Sequence, residues 1–266
     1  MQLEQLDLPG GGLLTVYLRD CVETMPLAME RPLVLVVPGG GYSHVSAREG
    51  DPVALQFAAA GYHTAVLTYS VGEGARNYQP LRQLSAALAL LREHAEAWGV
   101  LPEQIAVCGF SAGGHLALSG AVLDLPGGEA AAQQRPNAVL LAYPVVTAGE
   151  HAHRGSFVQL AGEDPAAQQA FSLEDKITPR TPPVFVWHTM EDETVPVENT
   201  LLLVSALHRA GVPCEAHLFE KGCHGTSLST AEVNHPSAHR SRWLTLAREW
   251  LDDTFDFHLG TGEAGG

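Results

Sequence analysis

Ile105-Ala106-Val107-Cys108-Gly109-Phe110-Ser111-Ala112-Gly113-Gly114-His115-Leu116-Ala117 reads as an apolar strand, a glycine-flanked turn and the start of a helix. A serine at such a G-x-S-x-G elbow is forced into a strained backbone conformation, and glycines are needed where side chains would collide with the turning chain. The hydroxyl is then presented above the strand end, with a helix N-terminus beside any negative charge that develops there. Alone, the stretch would also fit a strand-to-helix turn capped by serine, or a phosphate-binding loop. A dinucleotide loop is a poorer fit, because G-x-G-x-x-G does not follow this strand.

Outward from this element, short apolar runs alternate with helix-length amphipathic stretches. The runs are 13–18, 33–37, 63–68, 105–108, 138–142, 184–187 and 215–219, and helices are predicted at about 52–60, 81–98, 112–124, 197–210 and 239–254. In 81–98, Leu84, Leu88, Leu91 and Ala95 recur at three- and four-residue steps, and Gly99 ends the run. This alternation predicts an α/β fold with a mostly parallel central sheet and helices on both faces. Residues 1–259 are expected to form one domain, with 147–183 an irregular, cap-like insertion near the strand ends and 260–266 a flexible tail.

The composition narrows the class of function. In 266 residues, 45% are hydrophobic and 17% charged, which suits a sheet buried on both faces. The formal charge of −15, with no Lys/Arg-rich stretch, argues against a nucleic-acid partner. Residues 1–30 lack a basic start followed by an apolar run, so no membrane association and a cytoplasmic location are expected. Cys21, Cys108, Cys214 and Cys223 are scattered without C-x-x-C pairing, and no histidine pair has H-E-x-x-H spacing, so no metal site is predicted.

Three further segments carry chemistry. Pro38-Gly39-Gly40-Gly41-Tyr42 follows an apolar run, and a glycine triplet there brings main-chain N–H groups close to a ligand, although a plain turn needs no more. Gly40 and Gly41, with Ala112 after the elbow serine, are the candidate donors to an oxyanion. After 184–187 come Glu191, Asp192 and Glu193; Asp192 is the candidate acid because D-x-x-V-P leads into a helix, with Glu191 as the alternative. After 215–219 comes Gly222-Cys223-His224-Gly225, where His224 sits on a loop suited to a general base. His115 and His188 read as packing and hydrogen-bonding residues, while His151, His153, His235 and His239 lack the strand-end context.

Ser111, Asp192 and His224 stand in the chain order of α/β-hydrolases. PGGGY at 38–42, GFSAGGHLA at 109–117, HRGSF at 153–157, TPP at 181–183, WHT at 187–189, EDETVPVEN at 191–199 and HG at 224–225 resemble the acetyl-xylan-esterase-like and small carboxylesterase branch of that superfamily. Pro38 stands where the hormone-sensitive-lipase-like esterases begin this loop with His. The resemblance implies hydrolysis of short acyl esters, often acetyl, on small molecules, sugars or xylo-oligosaccharides, without metal or cofactor. Arg154, Phe157 and Glu163 are candidates to line an acyl or alcohol pocket. An amidase or formamidase on the same fold, and a silent binding protein, are the rival readings. Homo-oligomerisation stays open.

Overall fold

Alternate residues of strand β3 (Arg31–Val37) point to opposite sides of a sheet, and both sides are buried. Leu33, Leu35 and Val37 join one hydrophobic cluster, and Val34 and Val36 join another. The same division holds for β5 (Val100–Phe110), β6 (Ala138–Ala142) and β7 (Val184–Thr189). These strands therefore read as continuous apolar runs rather than as alternating ones. Fully burying each such side chain contributes roughly 1.5–3 kcal/mol, so the central strands are the most strongly specified part of the chain.

The computed structural model describes residues 1–25, 28–127, 129 and 133–259. Its sheet has eight strands in the order β1-β2-β4-β3-β5-β6-β7-β8, where β1 is Gln2–Leu8, β2 Gly12–Leu18, β4 His63–Thr68 and β8 Cys214–Phe219. The β1/β2 and β2/β4 pairs are antiparallel, and the remaining pairs are parallel. Helices α1 (Asp51–Ala59) and α8 (Trp243–Phe255) cover one face through Val53, Phe57, Trp243 and Leu251. Helices α2 (Gln79–Glu93), α4 (Ala112–Val122) and α7 (Glu198–Ala210) cover the other through Leu84, Leu116 and Leu203. This is the α/β architecture expected from the alternation. Among the described residues, no helix is long and apolar enough to cross a membrane.

Three expectations are revised. Strand β1 has no counterpart among the predicted apolar runs; it forms an antiparallel hairpin with β2 at the sheet edge. The helix predicted at 81–98 is interrupted at His94, and its last turn is a separate helix α3 (Ala95–Trp98). Both the Nδ1 of His94 and its main-chain N–H engage the Leu90 carbonyl, at 2.9 and 3.0 Å. The segment 147–183 is less irregular than expected, since it carries α5 (Arg154–Ala161) and α6 (Pro165–Gln169). The tail at 260–266 lies outside the described residues.

Candidate active site

Ser111 caps the start of α4 with φ 54° and ψ −118°, a conformation that non-glycine residues rarely adopt. Its neighbours hold it there: Ser111 N–H donates to the Ala142 carbonyl at 2.9 Å, and the Ser111 carbonyl accepts from Val145 N–H at 3.1 Å. A Cβ at Gly113 would lie 2.1 Å from the Val37 carbonyl oxygen, so only glycine lets α4 start so close to the end of β3. The serine is thus fixed above the sheet by strands on both sides.

His224 lies on the loop after β8, with Nε2 2.8 Å from Ser111 Oγ and Nδ1 2.6 Å from Asp192 Oδ2. A carboxylate only accepts, so Nδ1 carries the proton and Nε2 is left to accept from the serine; the tautomer follows from the network. The His224 side chain is 17% exposed and that of Asp192 0%, so substrate can reach the imidazole and water is kept from the acid.

Asp192 follows β7 in a turn that it closes itself, with Oδ1 accepting from Thr194 N–H at 3.0 Å and Val195 N–H at 2.9 Å. Its Oδ2 also faces His188 Nε2 at 3.2 Å. Burial works to raise the Asp192 pKa, but hydrogen bonds from His188, His224 and the Val195 N–H outweigh it and hold the carboxyl well below the usual carboxylate range. His188 Nε2 also meets the Val195 carbonyl at 3.0 Å, so it is a donor, and Nδ1 accepts from the Thr200 hydroxyl at 2.7 Å. Glu191, the alternative acid, instead accepts from Gly222 N–H at 3.1 Å and steadies the histidine loop.

On the opposite wall, Gly40 and Gly41 adopt φ 123° and 63°. A Cβ at Gly40 would sit 2.1 Å from the His44 carbonyl oxygen. Gly39 N–H is engaged by Glu49 Oε2 at 2.9 Å, whereas no acceptor among the described residues takes the N–H of Gly40 or Gly41. Ala112 opens α4, and a first-turn N–H has no intrahelical carbonyl to reach.

The cleft between these walls encloses about 300 Å³. Gly40, Gly41, Ser111, His224 and Gly225 line it, with Ser43, His44, Ser46, His153 and Thr194 adding polar groups, Arg48 a cation and Glu49 a carboxylate. Arg154, Phe157 and Glu163 do not line it. The Arg154 guanidinium donates to the Ala148 and Gly149 carbonyls at 2.7 and 2.6 Å, and Phe157 is buried against the His115 ring with centroids 5.5 Å apart. His153, which lacks strand-end context in the sequence, reaches the cleft from the start of α5. The only signal for it was its place in the HRGSF stretch. His115 ties the glycine loop to the insertion, accepting from Tyr42 O–H and donating to the Phe171 carbonyl, both at 2.8 Å.

The family model described as BD-FAE matches residues 23–133. The chain is 35% identical over 214 residues to an endo-1,4-beta-xylanase B from Butyrivibrio fibrisolvens, covering 77% of this chain and 34% of that protein. It is 30% identical over 205 residues to an acetylxylan esterase from Xylanibacter ruminicola, covering 74% and 41% respectively. The chain thus spans about a third to two-fifths of the length of these two curated relatives. A crystal structure of an acetyl ester-xyloside bifunctional hydrolase from Caldicellulosiruptor lactoaceticus superposes with a TM-score of 0.80 at 34% identity, covering 94% of this chain and 90% of that one. With the sheet order and the elbow already described, these likenesses establish that the chain belongs to the α/β-hydrolase superfamily, in its acetyl-xylan-esterase-like and small carboxylesterase branch.

Proposed function

We propose that this protein is a serine esterase that removes short acyl groups, acetyl foremost, from sugars or xylo-oligosaccharides through an acyl-enzyme. The observation that carries the reading is the run of two short hydrogen bonds from Ser111 Oγ through His224 to Asp192. His224 Nε2 takes the hydroxyl proton as Ser111 Oγ attacks the ester carbonyl. The carbonyl oxygen becomes negative and is received by the N–H groups of Gly40, Gly41 and Ala112. His224 then passes its proton to the departing alcohol oxygen, the C–O bond breaks, and Ser111 is left acylated. Water attacks next, His224 again taking and returning one proton, and carboxylic acid leaves. Asp192 remains ionised and steadies the imidazolium.

Two observations favour a sugar as the alcohol. The cleft walls are rich in hydroxyl and imidazole groups, and the Arg48 guanidinium has no side-chain partner among the described residues, leaving its fork of donors for substrate oxygens. The acetylxylan esterase and the acetyl ester-xyloside hydrolase to which the chain is similar point the same way.

Turnover of p-nitrophenyl acetate and acetylated xylo-oligosaccharides tests this. Ser111→Ala and His224→Gln are each expected to lower kcat by at least about 10⁴-fold while the variants stay folded. A folded Ser111→Ala variant that keeps most of the rate would overturn the assignment. Faster cleavage of N-formyl amides than of acetyl esters would transfer the site to amide hydrolysis.

A further inference from the structure

One carboxylate of the cleft wall has no role assigned in the two-step reaction above. Glu49 is 2% exposed and ends a short 3-10 turn at Ala47–Glu49 that follows the glycine loop. Each of its oxygens accepts one bond, and the two donors belong to different walls of the site. Oε2 accepts from Gly39 N–H at 2.9 Å, directly before the oxyanion donors. Oε1 accepts from Tyr143 O–H at 2.7 Å.

Tyr143 carries this link to the histidine. Its phenolic oxygen accepts from Ser227 N–H at 2.9 Å, three residues after His224, and its ring meets the His224 ring edge-on with centroids 4.9 Å apart. Tyr143 and Ser227 have φ of 40° and 47°, conformations that persist only where surrounding contacts over-determine them. Burial, and then the neighbouring Glu49 carboxylate, push the Tyr143 phenol well above its ordinary pKa, so it stays a donor. A second strut joins the same elements: Ser227 O–H donates to the Arg48 carbonyl at 2.6 Å.

We propose that Glu49 is a positioning residue that clamps the oxyanion loop and, through Tyr143, the His224 loop to one buried anchor, setting the distance between the donors and the base. The inference rests on the esterase reading above. Its consequence is kinetic. Donors and base act on charge that exists only in the transition state, so a loosened clamp lowers kcat and leaves KM nearly unchanged.

Glu49→Gln and Tyr143→Phe break the same link from its two ends. Glutamine has one acceptor oxygen, so it can accept from Gly39 or from Tyr143 but not from both, and its amide nitrogen keeps Tyr143 only by reversing that bond, which takes the phenol's proton off the anchor. Phenylalanine keeps the ring against His224 and removes both bonds of the phenol. For p-nitrophenyl acetate, each variant is expected to lose about tenfold to a hundredfold in kcat with KM within about threefold of the unaltered protein. Labelling by a fluorophosphonate should slow in parallel. Because the two residues act on one path, the double variant should be no more than about threefold worse than the poorer single one. The inference is overturned if either folded single variant keeps kcat within twofold, or if the losses multiply in the double variant. Should Glu49→Gln not melt cooperatively, Tyr143→Phe alone decides by the same kcat limit. Absence of ester turnover in the unaltered protein overturns the esterase reading and this inference together, whereas full turnover in both variants overturns only this one.

Discussion

Burial opposes the charge on Asp192, yet four donors compensate it, two from its own turn and one from each of two histidines. The carboxylate therefore does more than attract a proton: it selects which nitrogen of His224 carries it. Asp192→Asn preserves the shape of the turn but offers an amide to Nδ1. An amide N–H pointing at that nitrogen favours the tautomer whose Nε2 is protonated, and such a nitrogen cannot accept from Ser111. The expected outcome is a fall in kcat of about 10³–10⁴-fold with little change in thermal stability, read from p-nitrophenyl acetate kinetics and a melting curve. Glu191 is the control at the same strand end. Its carboxylate is exposed and, among the described residues, bonds only to Gly222 N–H, so Glu191→Gln should cost less than about tenfold. Equal losses in the two variants would contradict the assignment of Asp192 as the acid.

Elements differ in how plainly they were legible. Strands β3, β5, β6 and β7 announced themselves because burial on both faces demands an unbroken apolar run. Strand β1 did not: Gln2-Leu3-Glu4-Gln5-Leu6-Asp7-Leu8 is largely exposed at the sheet edge and has little apolar surface to advertise it. Helices α5 and α6 escaped for another reason, since eight and five residues are too few for a 3.6-residue period to show. Within the site, Ser111, His224 and Asp192 sit in motifs at strand ends, whereas Glu49 lies in a turn whose partners are remote in sequence. Helix α5 also bears on stability. Phe157 is fully buried and belongs to the same hydrophobic cluster as Leu35 and Leu116, so the insertion is packed into the domain rather than hinged over it. Phe157→Ala should lower the unfolding free energy by about 3–5 kcal/mol and the melting temperature by roughly 10 °C. A shift below 2 °C would show that the insertion does not share the main core.

For the molecule as a whole, buried histidines make acid the weak direction. His63 and His115 are 0% and 1% exposed, one beneath the β2/β4 end of the sheet and the other in the first turns of α4. Burial lowers both to a pKa of about 4 despite hydrogen bonds to the carbonyls of Gly99 and Phe171, with Arg31 and Arg19 depressing His63 further. An unfolded histidine titrates near 6.5, so between pH 6.5 and 4 the unfolded chain binds more protons than the folded one. The contribution of these two histidines is therefore full above pH 6.5, falls through that window and levels off below pH 4, by about 3 kcal/mol for each. The isoelectric point of about 5.2 lies inside the same window, so the surface charge that keeps unfolded chains apart disappears as the fold weakens. We expect denaturant unfolding at pH 7, 6 and 5 to show a steep loss of stability, and acid-unfolded protein to aggregate near pH 5. In His115→Gln the dependence should be shallower by about one proton over this interval, even if the variant is less stable at pH 7, because glutamine has no proton to take up on unfolding. An unchanged slope in that variant would mean that His115 does not titrate with unfolding and that the acid sensitivity arises elsewhere.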